Sequence, residues 1–251
     1  MQALWDSLFY EPIYNTLVLV LNNVTFGDVG FAIILITIIV KLILSPLTKR
    51  STENQILMKK MEPELKLIKK NFPNKEEQSK KTFELYKKYK TNPFSGCLLI
   101  FIQIPIILAL YFVVFNYIKT GIDLSSIYSF VTPPTSINTN FLGFFEMGSK
   151  SIILAVLAGV AQFIQGHLAS PINTKKDIID VKDINEKKGP SDFQENLASS
   201  MQMNIKYLFP IMMVFISWQT SAAVALYFII STLFTVIQEI YIRRKLSIKI
   251  D

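Results

Sequence analysis

The 251 residues of this chain include one cysteine, Cys97, and one histidine, His167. A single cysteine excludes an intramolecular disulfide and any cysteine cluster for a metal. No G-x-x-x-x-G-K-[ST] loop, H-E-x-x-H or G-x-S-x-G is present. That removes phosphate-loop nucleotide use, zinc-protease chemistry and the nucleophile elbow of hydrolases. The apolar runs also lack the paired aspartates, Ser/His pair or metal pair that intramembrane proteolysis would need. No catalytic residue, no cofactor and no metal ligand set is therefore expected, and the chain reads as a non-enzyme. Positive charge is missing too from residues 1–28, which carry Asp6, Glu11 and Asp28 but no Lys or Arg.

What the chain does have is apolar residues, 51% of the total, gathered in blocks instead of amphipathic stripes. Blocks of this kind mark a polytopic membrane protein. The predicted fold is all-α, a bundle of five transmembrane helices with a cytoplasmic helical hairpin. The spans are 29–47, 97–117, 151–169, 205–219 and 222–241. The fourth is short and needs a locally thin bilayer or protein shielding at its ends. Residues 1–28 read as an extracytoplasmic amphipathic helix in the interface, with Trp5, Tyr10 and Tyr14 as belt residues. A sixth span over 8–26 is the alternative. The region has no basic segment and no small-residue cleavage site, so it is a poor signal peptide.

Charge sets the orientation. Residues 48–96 carry thirteen basic and six acidic residues, and the tail 242–251 adds Arg243, Arg244, Lys245 and Lys249. The segment 118–150 has only Lys119 and Lys150. This puts the N-terminus and the 118–150 loop outside, with the hairpin, the 170–204 loop and the tail in the cytoplasm. Integration into a membrane in this orientation is expected.

Lys41 interrupts the first apolar run. A lysine at the centre of a membrane helix costs ~3 kcal/mol on insertion scales and usually faces a bundle interior or wet cavity. Snorkelling is the alternative, because Leu47 lies only ~9 Å further along the axis and a lysine stem can lean toward headgroups. Thr37, Lys41 and Ser45 are spaced by four and share one helix face. Tyr227 and Ser231 repeat that spacing in the last span, beside Thr232, Thr235 and Gln238. Gln103, Gln162 and Gln165 complete the polar set within the spans. One role for such residues is simple interhelical hydrogen bonding. They can also make a half-polar groove that hydrates part of the membrane and spares a translocating segment the cost of stripping water from its polar groups.

In the 48–96 segment, Leu57, Met61, Leu65, Ile68 and Phe72 form one helical stripe, with a break expected at Pro63. A turn at 71–74 leads to a second helix whose inner side is expected to carry Phe83, Tyr86 and Tyr89. The lysine-rich surface suits membrane lipid phosphates, ribosomal RNA or an acidic protein, and no motif for sequence-specific nucleic-acid binding is present. A small transporter using Lys41 would want a second buried charge or an internal repeat; neither is evident. A structural assembly module would explain the hairpin but give Lys41 no use.

Several landmarks occur in order: Thr37-Ile-Ile-Val-Lys-Leu-Ile-Leu-Ser-Pro-Leu-Thr48, Met61-Glu-Pro-Glu64, Asn92-Pro-Phe-Ser-Gly-Cys97 and Gln103-Ile-Pro-Ile106. Phe141-Leu-Gly143, Phe163-Ile-Gln165, Phe209-Pro-Ile211 and the run Leu226–Gln238 follow. The set resembles YidC-type (YidC/Oxa/Alb) membrane protein insertases, in a short form without a large extracytoplasmic domain. The resemblance implies an insertase and chaperone for newly made membrane proteins, acting alone or with the Sec translocon through a hydrated cationic groove open to the cytoplasm. It implies nascent membrane proteins, the ribosome, the Sec translocon, and the signal recognition particle and its receptor as partners. Lys41 takes the place of a groove cation that is usually arginine, and lacks arginine's planar fork. The resemblance places Lys41, Thr37, Tyr227 and Phe228 at the groove of a bacterial plasma-membrane protein, and the polar residues Ser45, Gln103, Gln165 and Ser231 complete the expected groove set.

Overall fold

The computed structural model describes residues 2–91, 95–121, 123–134, 136–169 and 207–247. The expected 170–204 loop lies outside the described residues. Two short helical pieces, α1 (Gln2–Trp5) and a π turn (Asp6–Tyr10), lead into α2 (Glu11–Asn23). Next come α3 (Val29–Asn71), α4 (Lys75–Lys88), α5 (Ser95–Thr120), α6 (Ile152–Ala169), α7 (Phe209–Gln219) and α8 (Ala222–Ser247). A two-stranded antiparallel hairpin, β1 (Asn140–Phe141) with β2 (Phe145–Glu146), lies between α5 and α6. Among the described residues, α3 and α8 are long and apolar enough to cross a membrane by length and composition, over Val29–Met58 and Ala222–Lys245. Three shorter apolar helical stretches accompany them, Phe101–Tyr117, Ile152–Leu168 and Phe209–Gln219.

The buried core gathers at one end of the bundle. It unites Tyr14, Leu17 and Leu21 of α2, Ile33 and Ile36 of α3, Val113 and Tyr117 of α5, and Ala222, Leu226 and Tyr227 of α8. Tyr14 is only 1% exposed, and its hydroxyl accepts from the Asp123 N–H at 2.7 Å. It therefore fastens α2 to the bundle instead of serving as an interfacial belt residue. Away from this core, large apolar side chains face outward: Ile43 is 70% exposed, Phe101 72% and Ile211 67%. So much exposed apolar surface suits lipid and would be a liability in water. Gly159 lets α6 and α7 approach closely, since a Cβ there would meet Val214 Cγ2 at 2.2 Å. Small residues at such crossings are how apolar helices pack without a hydrophobic drive between them.

Asp28 starts α3, its carboxylate accepting from the Phe31 N–H at 3.0 Å. The helix then runs 43 residues through both Pro46 and Pro63. The break expected at Pro63 does not occur. Proline removes one helical hydrogen bond, but Pro63 is on an exposed face where water can satisfy the freed carbonyl, and α4 clamps the same stretch. Asn74 caps α4 through the Glu76 N–H. Glu76 and Glu77 begin that helix and Lys87 and Lys88 end it, in keeping with the helix dipole.

Met61 and Leu85 are the buried pair of this αα-hairpin, at 0% and 6% exposure. Phe83, expected inside, is 64% exposed with the Lys87 ammonium over its ring. The inner face instead follows Thr82, Leu85, Tyr86 and Tyr89, the three-and-four spacing of one helix side. The Tyr89 hydroxyl donates to Glu64 Oε1, and Lys88 Nζ lies 3.0 Å from Glu64 Oε2. These contacts hold the Glu64 carboxyl below its ordinary range, the Tyr89 bond contributing most. They likewise hold the Lys88 ammonium and the Tyr89 phenol above theirs.

The sign of each shift fixes a pH window. The carboxylate's contribution to closure is full above its unfolded pKa and is lost as pH falls through the lowered folded value. The contributions of Lys88 and Tyr89 are full below their unfolded values and are lost as pH rises through the raised ones. Nitroxides on Lys60→Cys and Lys90→Cys, in a Cys97→Ser background, should therefore report the narrowest distance distribution near neutrality. Broadening is expected in both acid and alkali, and Glu64→Gln should erase the acid limb.

Candidate functional site: a polar seam between α3, α5 and α8

Between the apolar faces of α3 and α8 runs a ladder of polar contacts. Lys41 Nζ donates to Thr235 Oγ1 at 3.2 Å, and the Thr235 hydroxyl donates in turn to the Ser231 carbonyl at 2.9 Å. About one turn along, Gln238 Nε2 donates to Ser45 Oγ at 2.8 Å and to the Ser45 carbonyl at 3.0 Å. Deeper in the bundle, the Gln103 amide donates to the Tyr227 hydroxyl, joining α5 to α8. Phe228 stands edge-on to Tyr227, with ring centroids 5.6 Å apart. The helix period makes this arrangement possible: positions 37, 41 and 45 on α3, and 227, 231 and 235 on α8, each recur on one face.

No carboxylate lies within ion-pair distance of Lys41 among the described residues. Its head is bound to a neutral hydroxyl, so no described residue compensates the positive charge. Past Ser45 and Gln238 the seam widens into a cavity of about 150 Å³, lined also by Lys49, Glu53, Tyr241 and Lys245. The Gln238 Oε1 atom is buried with no partner among the described residues.

Two residues of the expected set make no contact in this ladder. Thr37 is buried, 1% exposed, and its hydroxyl bonds back to the Ile33 carbonyl at 2.6 Å, so it serves its own helix. Gln165 lies on α6, which packs against α7 and α8 and makes no comparable contact with α3. His167 packs with Phe163 and Tyr207, away from the seam. Thr235 and Gln238, polar residues left out of the expected set, are the direct partners of Lys41 and Ser45. Spacing by four from Tyr227 and Ser231 pointed to Thr235. The same series continues to Glu239, 5% exposed, whose carboxylate takes both Arg243 Nε at 3.0 Å and Nη2 at 2.5 Å.

A second cavity, about 430 Å³, lies near the start of α2 and is lined by Trp5, Asp6, Tyr10, Glu11 and Asp123. No group of three His, Cys, Asp or Glu placed to hold a metal occurs among the described residues.

The model of a family described as 60Kd inner membrane protein matches residues 20–249. A relative from Fusobacterium nucleatum, named membrane protein insertase YidC, is 32% identical over 245 residues, covering 95% of this chain and 98% of its own. The chain belongs to the YidC family. A YidC from Clostridium tetani is also 32% identical, over 94% of this chain and 90% of the relative. A YidC from Buchnera aphidicola is 30% identical over 92% of this chain but only 36% of its own length. Among solved structures, an active YidC insertase with its first transmembrane domain resolved superposes with a TM-score of 0.52 at 24% identity. The match covers 93% of this chain and 45% of that one. This chain thus spans under half the length of that YidC and shares the fold of the part it matches.

Proposed function

We propose that this chain is a membrane protein insertase and chaperone of the bacterial plasma membrane. It has five spans, with the N-terminus outside and the C-terminus in the cytoplasm. The observation that carries the reading is the uncompensated Lys41 ammonium, held on a neutral hydroxyl between two apolar helices, in a chain whose relatives are named insertases. The cation and its polar ladder hydrate a groove reached from the cytoplasmic end through the cavity beside Lys49 and Lys245. A polar segment entering there keeps part of its solvation and crosses a shorter low-dielectric path. Lys41 also attracts acidic residues of the segment being moved, while the exposed apolar faces of α5 and α6 receive the new helix. The buried Gln238 carbonyl, which has no partner among the described residues, supports a seam that exchanges hydrogen bonds with what enters it.

Nascent membrane proteins are the substrates and no covalent step is needed. The ribosome, the signal recognition particle and its receptor would meet the basic hairpin or tail, with the Sec translocon as an optional companion and membrane lipids around the spans. Cell-free synthesis of a single-span protein with an acidic N-terminal tail tests this. Protease protection of the tail should exceed that of empty vesicles several-fold in proteoliposomes carrying the chain. Equal protection in both, over several substrates, would overturn the reading.

A further inference from the structure

The loop between α5 and α6 is expected to face outward, yet no charged residue occurs between Asp123 and Glu146. Its tip is the tight turn 141–144, closed by the Phe144 N–H donating to the Phe141 carbonyl at 3.2 Å. Both central residues have positive φ, Leu142 at 54° and Gly143 at 76°. Turns of this kind favour Asn, Asp or Gly at both central positions. A leucine there is strained, and it points its side chain outward, 56% exposed. Phe144 beside it is 85% exposed.

A second strained apolar residue stands close by. Phe26, at φ 49°, is 86% exposed. It is brought to the same edge because the Asn138 N–H donates to the Gly27 carbonyl at 2.8 Å, and the Val29 N–H donates to the Asn138 carbonyl at 3.0 Å. The turn itself is seated on the start of α3. A Cβ on Gly30 would lie 2.2 Å from the buried Phe141 ring, which also meets Phe31 edge-on at 5.1 Å. Phe144 closes the turn that Phe141 opens, so its Cα stands within about 7 Å of the Phe141 Cα, beside the ring seated on α3. Bulky residues at positive φ are outliers whose cost persists where the surroundings use them. Here, two of them hold apolar side chains in the open rather than in the core.

We infer that Phe26, Leu142 and Phe144 form a lipid-binding edge that inserts into the outer leaflet at the headgroup–acyl boundary. Three observations select lipid as the occupant: the edge is uncharged, it is phenylalanine-rich, and it continues the exposed apolar face of α3 through Phe31, 47% exposed. The inserted edge fixes how deep the outer end of α3 sits, and with it the depth of Lys41 one helix segment below. This inference rests on the reading of α3 as a membrane span.

The test uses the full chain with Cys97→Ser and single cysteines replacing Phe26, Phe144 or, as the reference, Ile43 on the exposed face of α3. Each is labelled with an environment-sensitive fluorophore and reconstituted in vesicles whose lipids carry a nitroxide near the headgroup or deep in the chain. Insertion predicts that both edge positions lose about half their fluorescence to the shallow quencher and far less to the deep one, while Ile43 is also quenched by lipid. Unquenched edge positions with a quenched Ile43 would overturn the edge and leave the span intact. An unquenched Ile43 would overturn the span and the edge together.

Discussion

Replacing Lys41 with methionine is expected to lower insertion of an acidic-tailed substrate by roughly tenfold, which is about 1.4 kcal/mol, while Lys41→Arg retains most of it. Methionine keeps the length and apolar volume of the stem and removes only the charge. Among the described residues that charge has a single partner, the neutral Thr235 hydroxyl, so its loss strands no described counter-ion. The lysine costs the membrane-embedded chain ~3 kcal/mol on insertion scales, and the methionine variant should therefore be no less stable in detergent than the parent. Activity and stability are expected to part company, the signature of a residue kept for use and not for folding. Changing the tail's Asp and Glu residues to Asn and Gln should abolish the difference between lysine and methionine, because the two changes remove one shared interaction. Equal insertion by parent and Lys41→Met would reassign the ammonium to snorkelling at the interface.

Arg243→Leu should be the most damaging single change to stability among the polar residues of α8. Glu239 is 5% exposed and both of its hydrogen bonds from Arg243 go to one oxygen. Taking away the guanidinium leaves a buried carboxylate unpaired, at a cost of about 3 kcal/mol or more. For a chain of this size that corresponds to roughly 6–12 °C in Tm, readable by thermal unfolding in detergent. Glu239→Gln combined with Arg243→Leu should recover most of the loss, since a neutral amide tolerates burial far better than an unpaired charge. No change in Tm on Arg243→Leu would mean that Glu239 reaches water as the helix end adjusts.

The seam was legible in the sequence where helical periodicity does the work. Thr37, Lys41 and Ser45 had to share a face, and so did Tyr227 and Ser231, whatever the tertiary arrangement. Which face meets which helix is a different kind of information. Thr37 obeys the spacing but spends its hydroxyl on the Ile33 carbonyl, a local bond open to any threonine in a helix. Gln165 is polar within an apolar run, as Gln103 is, yet the packing of α6 on α7 and α8 separates it from α3. Phe83 looked like an inner residue of the hairpin because aromatics at 83, 86 and 89 recur every three. Leu85 competes for the same interface, fits the four-residue step to Tyr89, and wins. Pro63 carries the intrinsic cost of a breaker, while the clamp of α4 on Glu64 is a tertiary contact that no local pattern in the sequence encodes.

The continuity of α3 has a mechanical side. A helix of this length is a rod of about 65 Å, anchored at its start where Ile33 and Ile36 are packed and carrying the αα-hairpin at its far tip. Taking the anchor near residue 33, Lys41 stands about 12 Å along the rod and Asn71 about 57 Å. A load that sways the hairpin tip by 5 Å would shift the Lys41 level by only about 1 Å, with force multiplied in the same ratio. Pro46 sits between the two points, so its stiffness sets how much of any pull on the hairpin reaches the seam.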